Sequence, residues 1–151
     1  MQLKRGRIRP RGTTSSKLRL RSVLARAGMT DVDPLHEDVF LQIRPEGGTD
    51  VLCARIPAGK FMRMHHAFKF WDHQHRVGSA KGIDDMSVKV RRDGTVRFRT
   101  LGKHVEMAAP PSGRVEITVA FHNPAGTDAG NRCSALTKAF RTGRHGALIV
   151  P

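Results

Sequence analysis

Hydrophobic and polar residues alternate with a period of two along most of the chain. The stretch 96–100 alternates apolar residues and threonine with arginines, and 86–90 and 115–119 show the same pattern. Such a period is typical of a strand buried on one face, whereas an amphipathic helix repeats about every 3.6 residues. The pattern therefore predicts half-buried antiparallel strands.

Turn-forming sequences rich in Pro, Gly, Asp and Asn separate these alternating runs. They lie at residues 10–12, 33–34, 45–48, 57–59, 93–94, 110–113 and 123–126. About eight to ten short strands without crossover helices predict an all-β fold, either an antiparallel β-sandwich or a closed barrel.

The hairpin around Asp93 can be placed in register from the sequence. A three-residue loop with Gly94 in the left-handed conformation pairs Val90 with Val96 and keeps apolar side chains on one face. A two-residue loop would instead oppose Val90 to Arg97 and mix the two faces. The pattern therefore favours the longer loop.

The chain also contains an internal repeat at an offset of 78 positions. Residues 18–22 align with 96–100, and 39–43 align with 115–119 close to the same offset. Although any two alternating strands look alike, the common order of the matches indicates a duplication.

The repeat leads to a prediction of domain organisation. We expect one β-sandwich domain over residues 1–151, built from pseudo-repeats at about 3–72 and 82–142. The tail, 143–151, is short, apolar and β-prone at its end. It would complete its own sheet or add a strand to the sheet of a neighbour.

Charge narrows the classes of partner. Lys and Arg number 27 against 13 Asp and Glu, so the net charge is +14. A surplus of this size favours an anionic partner: nucleic acid, acidic polysaccharide, lipopolysaccharide or an acidic neighbouring subunit.

No apolar run is long enough for a transmembrane helix, and no signal peptide is expected in this chain because no apolar segment follows the basic start.

The cations alternate with apolar residues, which predicts a basic sheet face that binds the polyanion. The candidate residues are Arg7, Arg9, Arg19, Arg21, Lys89, Arg91, Arg97 and Arg99. Like charges opposed on paired strands cost a few tenths to about 1 kcal/mol each, which a bound polyanion would relieve. The alternative is a solvated face that protects edge strands from aggregation.

Nucleic-acid binding, as in a ribosomal or other ribonucleoprotein, is the main alternative function. It fits the isoelectric point of about 11.3. Base stacking requires exposed aromatic side chains, but the chain has no Tyr, one Trp and seven Phe, and most Phe lie on inward phases. The composition therefore does not favour recognition by stacking.

Histidines and cysteines provide two further candidate sites. A hairpin would gather His65, His66, His73 and His75 into a site for Zn, Cu or Ni, although exposed loop histidines are the alternative. Cys53 and Cys133 fall at near-equivalent places in the two halves and would form a disulfide in an exported protein. In a reducing compartment they would be buried thiols.

No catalytic motif is present. The sequence has no nucleophile elbow, phosphate-binding loop, HExxH motif, dinucleotide fingerprint or CxxCH haem motif. We therefore expect a non-enzymatic protein that needs no cofactor.

The order of several motifs resembles a module of predicted secreted and cell-surface proteins from environmental bacteria, whose function is unassigned. The motifs are DPLHEDV at 33–39, IPAGKF at 56–61, FKF at 68–70 and GI at 82–83 before a basic alternating strand. The resemblance implies an all-β fold and an extracellular or cell-surface setting without catalytic residues; a cytoplasmic setting is the alternative.

Taken together, the sequence predicts a structural or adhesive surface module. It would self-assemble as a homo-oligomer, contact neighbouring subunits, or bind an acidic polysaccharide or nucleic acid through its basic face.

Overall fold

Antiparallel strands account for most of the residues that the structure describes. The structure is a computed structural model and describes residues 1–11, 15–24, 32–108, 114–125 and 132–149. Its strands are β1 (Gln2–Arg9), β2 (Ser16–Leu24), β3 (Asp38–Pro45), β4 (Leu52–Ile56), β5 (Met62–Met64), β6 (Ala67–Trp71), β7 (Asp85–Val90), β8 (Val96–Val105), β9 (Arg114–His122), β10 (Arg132–Ala139), β11 (Arg141–Thr142) and β12 (Leu148–Ile149). These ranges contain no α-helix, which confirms the predicted all-β fold. The predicted turns at 10–12, 110–113 and 123–126 lie wholly or partly outside the described residues.

The strands form two antiparallel sheets. The large sheet has the order β11-β12-β1-β2-β8-β7-β6-β5, and the small sheet has the order β10-β9-β3-β4. Both sheets stay open at their edges among the described residues, so the predicted sandwich is confirmed and the closed barrel is not found. The described strands number twelve rather than about eight to ten, because β5, β11 and β12 have only two or three residues and are too short to show alternation.

The core lies between the inner faces of the two sheets. In β2, Leu18, Leu20 and Leu24 are buried, while the arginines between them are exposed. The small sheet contributes inward-facing apolar residues of the same kind, including Ile117 and Phe121 of β9. Because each buried side chain of this size stabilises the fold by about 1.5–3 kcal/mol, this alternation fixes which face of each strand points outward.

The β7–β8 hairpin has the predicted register. Val90 pairs with Val96, and the Arg91 N–H donates to the Thr95 carbonyl at 2.9 Å. Gly94 has φ 76°, the left-handed conformation that the three-residue loop requires. The hairpin prediction is therefore confirmed.

Segments that the repeat aligns occupy corresponding places in the two sheets. β2 pairs with β8 in the large sheet, and β3 pairs with β9 in the small sheet. β1 flanks β2 as β7 flanks β8, and β4 flanks β3 as β10 flanks β9. Exchanging the two halves leaves the order of these eight strands unchanged, which is the arrangement expected of a duplication. The duplication itself and the boundaries at 3–72 and 82–142 stay predictions.

The C-terminal tail completes its own sheet. Ile149 of β12 lies between Arg7 of β1 and Arg141 of β11. Leu148 is buried against the core. Of the two roles predicted for residues 143–151, the described part of the tail adopts the intramolecular one.

Candidate polyanion-binding face

Cations gather on the outward side of the large sheet because alternate residues of its strands face away from the core. This cationic face consists of Arg5, Arg7, Arg9, Lys17, Arg19, Arg21, Lys69, Lys89, Arg97 and Arg99. It includes seven of the eight residues predicted from the sequence. The strands that carry them, β1, β2, β8, β7 and β6, are consecutive neighbours in the sheet.

The strand register aligns these cations across the sheet. Arg5 pairs with Arg21, which in turn pairs with Arg99 on the next strand. Ser87 and Lys69 continue the same row on β7 and β6. Since neighbouring strands are about 4.8 Å apart, the row is a line of positive charge that spans about 19 Å.

Further like-charged pairs lie directly opposite each other on both sides of this row. They are Arg7 with Arg19, Arg9 with Lys17, and Lys89 with Arg97. Each pair is unfavourable by a few tenths to about 1 kcal/mol. No described carboxylate oxygen lies within 4.0 Å of a nitrogen of the cationic face, so these charges are not neutralised by the described residues.

Three shallow depressions lie next to one another on the cationic face. The central depression, of about 240 Å³, is lined by Arg5, Arg19, Leu20, Arg21, Ser87, Lys89, Arg97, Phe98 and Arg99. The Trp71 depression, of about 220 Å³, is lined by Lys69, Trp71, Asp85, Met86, Ser87, Arg99 and Leu101. The Arg9 depression, of about 190 Å³, is lined by Arg7, Arg9, Lys17, Leu18, Arg19, Leu101, Gly102 and Lys103. Arg99 borders the first two and Arg19 borders the first and third, so the three depressions are neighbours on this face.

Arg9 carries a polar atom without a partner in this surface. Its Nε is buried and has no hydrogen-bond partner among the described residues. A buried donor without a partner costs about 1–3 kcal/mol, and native structures contain few of them. Arg9 also lines the Arg9 depression, so the positive charge of its guanidinium group lies beside that depression.

Arg91 differs from the other predicted cations. It follows the end of β7 and is half-buried beside the hairpin loop. The pKa of Asp93 in that loop is lowered, chiefly by a hydrogen bond from the Thr95 hydroxyl and the Thr95 N–H, with a smaller contribution from the Arg91 charge. Arg91 is thus close to a carboxylate and lies at the border of the cationic face.

Trp71 is the part of this surface that the sequence analysis missed. It follows Lys69 by two residues on β6, and its side chain is 41% exposed. The Lys69 Nζ lies 5.7 Å from the centre of its ring, within the range of a cation–π contact. The signal was present in the sequence, because Phe70 faces the core and its two neighbours must therefore face outward.

The predicted metal site does not form. His65 and His66 lie in the turn between β5 and β6, whereas His73 and His75 follow the other end of β6. The five residues of β6 separate the two pairs by more than about 13 Å. The described residues contain no group of three or more His, Cys, Asp or Glu that could hold a metal ion. The prediction of a shared site was therefore wrong.

The predicted disulfide does not form either. Cys53 and Cys133 are exposed free thiols on β4 and β10, the two edge strands of the small sheet. Two strands lie between them, which places their Cα atoms at least about 14 Å apart. A disulfide requires a Cα separation below about 7 Å, so the prediction was wrong.

Comparisons with known proteins add no relative. The described residues contain no helix that is long and apolar enough to cross a membrane. The chain matches no protein-family model, no curated protein and no solved structure.

Proposed function

We propose that this protein is a non-enzymatic binding module that holds a linear anionic polymer on its cationic face. The observation that carries the proposal is the row Arg5–Arg21–Arg99, in which the arginines are register partners on neighbouring strands and lie on the same face of the sheet. A fold gains nothing from aligning like charges. A polyanion lying across the strands converts this repulsion into attraction and releases counterions.

The small sheet supports this assignment by contrast. On its outward face Arg44 is 2.7 Å from Glu116, and Arg114 is 2.8 Å from Glu46. The small sheet therefore pairs these arginines with carboxylates, whereas no described carboxylate oxygen lies within 4.0 Å of a nitrogen of the cationic face. That distribution favours a binding surface over a merely solvated one.

The setting and the self-association expected from the sequence belong to this proposal as well. We place the module outside the cell or at its surface, on the motif resemblance alone. A second copy cannot use the cationic face, because two identical positive surfaces repel each other. Association would instead use the edge strand β5, where Met62 and Met64 are 58% and 38% exposed.

Binding of inorganic polyphosphate at several salt concentrations tests the main proposal. Polyphosphate carries charge without rings or bases, so it reports on the electrostatics alone. Affinity should fall steeply with salt, because the bound cations release counterions. Each cation contributes roughly 1 kcal/mol to binding and about one unit to the slope of log affinity against log salt concentration. Replacing both Arg21 and Arg99 with Gln should therefore weaken binding by about 30-fold and lower this slope by about two.

The small sheet provides a control with the same change in net charge. Replacing Arg44 and Arg114 with Gln also removes two positive charges, but from the opposite face. This variant should bind within about threefold of the wild type. Equal weakening by both variants would show that net charge, and not the cationic face, determines binding.

A further inference from the structure

The Trp71 depression differs from the rest of the cationic face in its chemistry. It combines an exposed aromatic ring, a carboxylate, a hydroxyl and two cations, on Trp71, Asp85, Ser87, Lys69 and Arg99. We propose that it is a subsite for one acidic sugar ring, which makes an acidic polysaccharide the polymer that the cationic face binds. This inference rests on the proposed function and identifies its ligand.

The indole ring provides a platform for the sugar. Trp71 is the only tryptophan of the chain, and 41% of it is exposed at the end of β6. The exposed part of the ring is accessible to a ligand in the depression that Trp71 lines. The apolar face of a pyranose ring can stack on it, as an aromatic side chain in a binding site commonly stacks on a flat ligand.

The polar groups around the indole match the remaining parts of an acidic sugar. The carboxylate of Asp85 only accepts hydrogen bonds, so it suits hydroxyl groups, and the Ser87 hydroxyl can both donate and accept. Lys69 and Arg99 provide the positive charge for a carboxylate or sulfate on the ring. A volume of about 220 Å³ is below that of pockets for drug-sized ligands, so it fits one ring of a polymer.

The surroundings hold these groups in place. Asp85 pairs with Trp71 across β6 and β7, and its Oδ1 lies 3.2 Å from the His73 Nε2. Asp72, which follows Trp71 in the chain, is buried and accepts hydrogen bonds from the N–H groups of Arg76 and Val77 at 2.8 and 2.7 Å. The strand end that carries Trp71 is therefore anchored, which reduces the conformational entropy lost on binding.

A single-stranded nucleic acid fits this site less well. Platforms for single strands stack successive bases on several aromatic side chains, whereas Trp71 is the only large aromatic residue exposed among the described residues. Arg99 and Ser87 line both this depression and the central one, so the neighbouring units of a polysaccharide would reach the row of arginines.

The test compares three polymers on the wild type, Trp71→Ala and Trp71→Phe. The probes are polygalacturonate, inorganic polyphosphate and single-stranded poly-dT. Trp71→Ala should weaken polygalacturonate binding at least tenfold and polyphosphate binding less than threefold, while Trp71→Phe should retain most of the affinity for polygalacturonate. Because the chain has one tryptophan, its fluorescence should shift with polygalacturonate and not with polyphosphate.

Three other results would contradict either the sugar subsite or the proposed function. An unchanged affinity of Trp71→Ala for polygalacturonate, or equal weakening for polygalacturonate and polyphosphate, would overturn the sugar subsite and leave the proposed function intact. A loss confined to poly-dT would identify a base-stacking site instead. If the wild type binds none of the three polymers, both the proposed function and the sugar subsite are wrong.

Discussion

The outward faces of the two sheets follow the same alternation but treat their charges in opposite ways. On the small sheet, Arg55 is 2.8 Å from Asp38, and Arg44 and Arg114 have carboxylate partners as close. On the large sheet, the arginines face one another across the strands, as Arg21 faces Arg99. These three arginines of the small sheet are thus paired with carboxylates, whereas the cations of the cationic face have no carboxylate partner within 4.0 Å among the described residues. The two sheets should therefore respond differently to substitution and to salt.

Removing a carboxylate from the small sheet should have the largest effect on stability. The side chain of Asp38 is 4% exposed, pairs with Arg55 and accepts a hydrogen bond from the Ala58 N–H at 2.8 Å. Asp38→Ala should lower the free energy of unfolding by about 2–3 kcal/mol, because the Ala58 N–H and the Arg55 guanidinium both lose their acceptor. Urea unfolding measures this, with Asp50→Ala as an exposed control expected to lose less than about 0.5 kcal/mol. Equal losses would contradict the internal role of Asp38.

Salt should stabilise the protein rather than weaken it. Raising NaCl from about 0.02 to about 0.5 M screens the repulsion on the cationic face and should add about 1–2 kcal/mol to the free energy of unfolding. The variant with Gln at positions 21 and 99 should show about half of this gain. A stability that falls with added salt would mean that the ion pairs of the small sheet dominate.

Reversing one charge on each sheet should change stability in opposite directions. Arg21→Glu turns two repulsive pairs, with Arg5 and Arg99, into attractive ones and should stabilise the fold by about 0.5–1 kcal/mol at low salt. Arg44→Glu replaces the ion pair with Glu116 by two opposed carboxylates and should destabilise the fold by a similar amount. Thermal unfolding of both variants checks the signs, and two destabilised variants would remove the distinction between the faces.

The smallest effect concerns Asp93 at the border of the cationic face. The Thr95 hydroxyl and N–H, with a smaller contribution from Arg91, hold the pKa of Asp93 below its ordinary value of 3.8. A lowered pKa means that the carboxylate stabilises the hairpin above its unfolded pKa, and this contribution is lost as pH falls through the folded pKa. Thr95→Val should raise the pKa of Asp93 in an NMR titration, and Arg91→Gln should raise it less. A larger shift for Arg91→Gln would assign the effect to charge instead.

The local structure of this protein can be predicted from the residues alone. Alternation with a period of two specified strands, the outward direction of residues such as Arg19, and the register of Val90 with Val96. These properties depend on neighbours in the chain and on the burial of one face, so the residues predict them. The same alternation also places Trp71 outward, one position after the buried Phe70.

Which strands are neighbours depends on the packing of the whole fold. Packing of the two sheets brings β2 beside β8, which aligns Arg21 with Arg99, and it places Asp85 and Arg99 around Trp71. The same packing puts Cys53 and Cys133 on opposite edges of the small sheet, where no disulfide can form. Pairing between strands that are distant in the chain depends on how the whole core packs. Alternation with a period of two carries no information about which strands pair.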